Sequence, residues 1–179
     1  MHGRRRDEHR VVAIDPTSRG FGYVVLEGPG FLVDWGTRDM ARADSERALS
    51  HVAELLRHYR PDGVVVEDVA AAGARRRHRV QALIDAIGSL AASRGVAVER
   101  VSRLQVHRVF ARAQATTKHR IAGVIADHFP ELAPRLPPLR RAWMSEDARM
   151  SIFDAAALAL THYFLSDHEI FKETDHPRP

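Results

Sequence analysis

Val11-Val12-Ala13-Ile14-Asp15-Pro16-Thr17-Ser18-Arg19-Gly20-Phe21-Gly22-Tyr23-Val24-Val25-Leu26 decides the fold. An apolar run ends in an aspartate, a turn of Pro, Thr, Ser and Gly follows, and a second apolar run begins. Two strands joined by a polar, glycine-containing turn account for this pattern. Asp15 is then expected as the last residue of a buried strand, at one end of a sheet. A carboxylate in that position is costly to desolvate unless positive charge faces it.

Outward from this hairpin, the pattern predicts strands over 11–15, 20–27 and 31–37, the last two joined tightly through Gly28-Pro29-Gly30. A helix is expected over 44–59, where Leu49, Val52, Leu56 and Tyr59 recur at helical spacing behind an N-cap at Asp44 or Ser45. Val64-Val65-Val66-Glu67 reads as a strand buried on both faces. A second helix is expected over 76–93, with Val80, Leu83, Ile84, Ile87 and Leu90 on one face, then a fifth strand over 96–102. Shorter helices follow at 104–112 and after Thr117, with Ile121, Val124, Ile125 and Phe129 inward. Loop is expected over 131–143, and a last helix from Ser145 to Phe164. Three strands, then a strand after each of two helices, imply an α/β fold. Its mixed five-stranded sheet is an antiparallel meander of strands 1–3 continued by parallel strands 4 and 5. The expected layout is a disordered basic arm over 1–9, one domain over 10–165 and a flexible tail over 166–179.

With 179 residues, 45% hydrophobic and 28% charged, the chain has the composition of an ordinary globular domain. It contains no cysteine, which excludes disulfides, thiolate metal sites and a cysteine nucleophile. No apolar run approaches the roughly 20 residues that span a bilayer, and a cytoplasmic location is expected. The net charge of +4 suits a polyanionic partner. Nearly all the bases are arginines, the lysines being Lys118 and Lys172.

Three acids fall where elements converge. Asp15 ends the first strand and Glu67 the fourth, and these strands become neighbours in the expected topology. Asp154 lies within Ser151-Ile152-Phe153-Asp154-Ala155-Ala156-Ala157-Leu158-Ala159-Leu160, among small apolar residues that let a helix approach the sheet closely. Singly, each has an ordinary explanation: a turn cap, a strand end, an arginine partner. Jointly, and without a nearby lysine, three converging carboxylates repel one another. Divalent cations resolve the repulsion, and oxygen-only ligation suits Mg²⁺ or Mn²⁺. Two such ions about 4 Å apart support phosphodiester hydrolysis.

On the segments 13–23, Val65-Val66-Glu67-Asp68-Val69 and Asp154-Ala155-Ala156-Ala157-Leu158-Ala159-Leu160-Thr161-His162, the chain resembles the RuvC-type Holliday junction resolvases of the ribonuclease H-like superfamily. The resemblance covers residues 11–165. It implies a ribonuclease H-like fold and an endonuclease acting on branched DNA as a homodimer, with Asp15, Glu67 and Asp154 as ligands of two Mg²⁺ or Mn²⁺ ions. There are departures. The family usually has an acid or a histidine one turn before the last aspartate, where this chain has Ser151. Asp147, two turns back, is the candidate fourth catalytic acid, although Glu146 and Asp147 also suit the first turn of a helix capped by Ser145. The family also has an aromatic shortly after the second acid, where this chain has Val69-Ala70-Ala71-Ala72-Gly73-Ala74.

Cations cluster near these motifs. Arg75, Arg76, Arg77 and Arg79 precede or open the second helix, a natural phosphate site. Arg103, His107, Arg108 and Arg112 form a stripe on the next short helix, and Lys118 and Arg120 open the one after it. By resemblance the basic residues of this region hold the DNA backbone, and Lys118 is the best match. The candidate nucleic-acid contacts are Arg75, Arg76, Arg77, Arg79, Arg108, Arg112, Lys118 and Arg120. Three other readings stay open: a nuclease of the same fold acting on structured RNA or other DNA, a catalytically inactive nucleic-acid-binding module, and an actin-like phosphotransferase suggested by Asp15-Pro16-Thr17-Ser18. The last needs two such domains and about twice this length.

Overall fold

A computed structural model describes residues 9–40, 44–71, 76–139 and 147–173, with side chains to residue 167. The chain forms β1 (Arg10–Thr17), β2 (Gly20–Glu27), β3 (Phe31–Asp39), α1 (Ser45–Tyr59), β4 (Gly63–Glu67), α2 (His78–Ser93), β5 (Ala97–Val101), α3 (Arg103–Ala111), α4 (Lys118–His128) and α5 (Met150–Glu173). The sheet order is β3-β2-β1-β4-β5. β1, β2 and β3 pair antiparallel, and β4 and β5 continue parallel to β1. This is the mixed sheet expected from the alternation of strands and crossover helices, and it has the ribonuclease H-like arrangement.

The sheet is covered on both sides, so its central strands are apolar on both faces. Val11 and Ala13 of β1, Val24 and Leu26 of β2 and Val65 of β4 join the core under α3, α4 and α5. Their neighbours Val12, Ile14, Val25, Val64 and Val66 join the opposite core under α1 and α2. The strand period of two therefore assigns the acids to a side. Asp15 follows Ala13 on its face and Glu67 follows Val65 on its face, so both belong to the α5 side. In register, Ala13 lies beside Val65. Asp15 and Glu67 are each two residues further on, side by side at one sheet end.

Several boundaries differ from expectation. β1 continues past Asp15 to Thr17, because Asp15 pairs with Gly22 and Thr17 with Gly20 before the turn closes. The expected loop after Phe129 begins with a 3-10 helix, Pro130–Arg135, that buries Leu132 in the core. α2 starts at His78, not at residue 76. α5 starts at Met150, not Ser145, and extends to Glu173, past Phe164. Asp147 explains the late start. Its Oδ1 accepts the backbone N–H of Arg149 at 2.9 Å, a local bond that competes with a helical start. The first amides of α5, Met150 to Ile152, bond three residues back, to Asp147, Ala148 and Arg149. Residues 1–8 of the basic arm expected over 1–9, Ser145 and Glu146 of the expected cap and the chain end from 174 lie outside the described residues. Among the described residues, no helix is long and apolar enough to cross a membrane.

α5 lies directly on β2. A Cβ at Gly22 would be driven into the backbone carbonyl group and the hydroxyl of Ser151. Gly22 is the strand partner of Asp15, so the closest approach of helix to sheet falls beside the first acid and sets how near Asp154 comes to it. Gly22→Ala should lower unfolding stability by about 3 kcal/mol, because the atoms in the way are backbone and cannot repack. Gly30→Ala, where an added Cβ meets nothing, should stay within about 0.5 kcal/mol. Urea unfolding midpoints of the two variants test this, and equal midpoints would refute the close seat.

Candidate active site

Asp15 and Glu67 are both about 2% exposed. With Asp154, which is half-buried on α5, they line one cavity of about 80 Å³ together with Arg76, Arg103, Val106, His107, Lys118, Ile121, Ala157 and Leu158. That volume holds several waters or ions and no nucleotide, so a polymeric substrate would have to lie across its mouth. The three acids singled out in the sequence are thus brought together, from the first strand, the fourth strand and the last helix.

The cavity also carries its own cations. Arg76 Nε donates to Glu67 Oε2 at 2.6 Å, its Nη2 donates to Asp15 Oδ1, and its Nη1 donates to the Pro16 carbonyl at 3.2 Å. Arg103 Nε donates to Glu67 Oε1 at 2.7 Å. Lys118 Nζ pairs with Asp154 Oδ2 at 2.6 Å. The premise that the carboxylates converge without a lysine is therefore corrected: Lys118 is present, with two arginines. Arg103 had a readable signal, for Val101 pairs with Glu67 across β4 and β5. The turn into α3 begins at the next residue, where Ser102 and Gln105 form a capping box, and it delivers Arg103 to the end of β4. Lys118 is likewise placed by a cap, Thr117, at the first position of α4. Arg76 had no comparable signal, since nothing in the spacing of an arginine run says which member turns inward.

The remaining candidates lie elsewhere. The Asp147 carboxylate is taken by Arg149, Oδ2 to Nη2 at 2.6 Å and Oδ1 to Nε at 3.0 Å, and it does not line the cavity. The bond to Arg149 holds its pKa low against the opposing effect of burial. Ser151 is buried with its hydroxyl on the Ala148 carbonyl at 2.7 Å, and it too is apart from the cavity. Arg77 and Arg79 turn onto a separate cavity of about 660 Å³, shared with Thr17, Ser18 and Asp44. Arg108 and Arg120 are exposed, and the Arg112 guanidinium lies over the Phe164 ring at 4.7 Å. Arg75 lies outside the described residues.

The two buried acids are tuned in opposite directions. Burial, and next the Asp154 charge, push Asp15 up to about 7, against the pull of Arg76 and Lys118. Burial also acts to raise Glu67, but the Arg103 hydrogen bond and the charges of Arg76 and Arg103 outweigh it and hold Glu67 below the usual carboxylate value. Burial and the Asp154 charge thus oppose the ionisation of Asp15 even with Arg76 and Lys118 beside it. A hard cation held by Asp15, Glu67 and Asp154 would favour that ionisation, and the all-oxygen donor set suits Mg²⁺ or Mn²⁺. In the arrangement described, the carboxylates are turned to the chain's own cations, and no three His, Asp or Glu side chains among the described residues form a ready metal cage.

Opposite tuning gives opposite stability effects in metal-free buffer. Asp15 binds its proton more tightly when folded, so its ionisation costs stability as the pH rises from about 4 to 7. Asp15→Asn should raise the unfolding midpoint at pH 8, with the gain fading as the pH falls towards 4. Glu67 is the reverse: its stabilising charge is present above the unfolded value of 4.5 and is lost as the pH falls through its lower folded value. Glu67→Gln should cost about 3 kcal/mol at pH 8, since it leaves the buried Arg76 short of a partner. Urea unfolding in EDTA across this pH range measures both signs, and shifts in the same direction would contradict the account.

No protein-family model and no curated protein sequence matches the chain. Solved structures do. The Thermus thermophilus RuvC in complex with Holliday junction substrate superposes with a TM-score of 0.66 at 22% identity, over 89% of this chain and 96% of that one. A second Thermus thermophilus RuvC structure gives 0.65 at 24% identity, with the same coverage. The yeast mitochondrial Holliday junction resolvase gives 0.56 at 12% identity, over 93% of this chain and 84% of that one. Over nearly its whole length, the chain has the fold of the RuvC Holliday junction resolvases.

Proposed function

We propose that this protein is a metal-dependent endonuclease that hydrolyses phosphodiester bonds in branched DNA. The observation that carries the reading is the convergence of Asp15, Glu67 and Asp154, from three separate elements of a resolvase fold, on one small cavity rimmed by cations. Asp15, Glu67 and Asp154 would hold Mg²⁺ or Mn²⁺, in two sites, and the metal would supply an activated water and charge stabilisation at the leaving oxygen. Lys118 and Arg103, at the cavity mouth and partly exposed, would orient the scissile phosphate. Arg77, Arg79, Arg108, Arg112 and Arg120, outside the cavity, would grip flanking phosphates and add salt dependence with little sequence readout. Two copies acting as a homodimer would cut two strands of a junction symmetrically. Asp147, held by Arg149, and Ser151, held by the Ala148 carbonyl, have no part in this mechanism.

The purified protein should be incubated with a labelled four-way junction, linear duplex, single-stranded DNA and stem-loop RNA, in Mg²⁺, Mn²⁺ or EDTA, beside Asp15→Asn. The expected result is paired symmetric nicks in the junction, absent in EDTA and reduced at least about 1,000-fold in the variant. Cleavage of the RNA or of linear DNA instead would keep the centre and change the substrate. Binding without cleavage in every metal would leave an inactive binding module.

A further inference from the structure

Arg76 occupies the place between the two buried acids. Its side chain is 15% exposed, against 45% for Arg103 and 35% for Lys118, and each of its three nitrogens donates, to Glu67, Asp15 and the Pro16 carbonyl. Lys118 is matched with Asp154 and Arg103 with the other oxygen of Glu67. Arg76 bridges two of the acids. A guanidinium seated between the two acids competes, in space and in charge, with a divalent cation held by the same carboxylates.

We infer that Arg76 is an exchangeable internal counter-ion, which holds Asp15 and Glu67 closed to divalent metal until a nucleic-acid phosphate draws it away. This rests on the metal-centre reading above and adds its regulation. Three features fit the exchange. The residue precedes the N-cap of α2, Arg77, whose side chain makes no capping bond, so the Arg76 side chain leaves the cavity without unwinding a helix. A guanidinium pairs with phosphate as well as with carboxylate, in the same forked geometry. The neighbouring Arg77 and Arg79 already face outward onto the adjoining cavity, so a backbone bound there brings phosphate beside Arg76. Metal and nucleic acid then bind with positive coupling, each raising the affinity for the other by the same factor. The protein without nucleic acid takes up metal poorly, which restrains cleavage in the absence of a correctly seated strand.

The test is Mn²⁺ binding, followed by calorimetry and by the paramagnetic resonance of free Mn²⁺, on the full chain without nucleic acid. Arg76→Gln should bind Mn²⁺ at least about ten-fold more tightly than the unaltered protein, within the usual range of coupling factors. Arg76→Lys, which keeps the charge but cannot bridge two carboxylates with a fork, should fall between, and it serves if Arg76→Gln unfolds. Arg103→Gln should change the affinity less. A short linear duplex should tighten Mn²⁺ binding to the unaltered protein and leave Arg76→Gln nearly unchanged. Asp15-dependent Mn²⁺ binding that is equal with and without the Arg76 side chain would overturn this inference and leave the metal centre standing. An absence of Asp15-dependent Mn²⁺ binding in every protein, with and without duplex, would overturn both.

Discussion

Two carboxylates are buried side by side on neighbouring strands, and the surroundings of the site follow from the cost of keeping them there. A sheet covered on both faces offers little water to Asp15 or Glu67. A lone ionised carboxylate in such a place would take up a proton or destabilise the fold. Glu67 is met by two guanidinium groups and stays charged. Asp15 shares one of them and also faces Asp154, so burial and repulsion prevail. The asymmetry is chemical as well as energetic. Glu67 holds its charge firmly, and Asp15 is held close to taking up a proton at neutral pH.

The placement of that pair is a consequence of backbone periodicity. The strand period of two puts Asp15 on the face of Ala13 and Glu67 on the face of Val65, and the parallel register of β1 with β4 sets the two acids level. The third acid arrives by a different route. A helix reaches the same spot only if it lies nearly on the strand, and Gly22, opposite Asp15, leaves that space. The alanines around Asp154 do the same on the helix side. The seat that admits α5 also faces Ser151 into the strand, where a larger side chain would collide, so the position one turn before Asp154 serves packing.

Much of this was legible in the sequence, for physical reasons. Strands buried on both faces read as unbroken apolar runs, and turns read through Gly and Pro, so the element order and the three acids could be placed before any coordinates. What was not legible depended on side-chain competition. The acids near the start of α5 looked like helix-start residues, but the Asp147 carboxylate bonds the amide and guanidinium of Arg149 and delays the helix to Met150. In the arginine run before α2, residues of identical chemistry divide between the cavity and the outside. Arg76 turns inward onto Asp15 and the Pro16 carbonyl of β1 while Arg77 and Arg79 line another cavity, a division that no periodicity in the run marks.

The cations of the site also bear on how the proposed metal centre could form before metal binds. Three acids at the end of a sheet oppose folding if nothing offsets them, and metal cannot help until the site has formed. Arg76, Arg103 and Lys118 supply the offset from within the chain. The arrangement has a consequence for the proposed metal binding: the groups that stabilise the acids without metal compete with the metal for them. A cation that is partly exposed, as Arg103 and Lys118 are, can turn to a phosphate at the mouth and keep its carboxylate in reach. A cation buried between two acids cannot do both. On the proposal above, Arg76 is therefore the one that would give way, and the strength of its hold would set the threshold at which metal and nucleic acid together displace it.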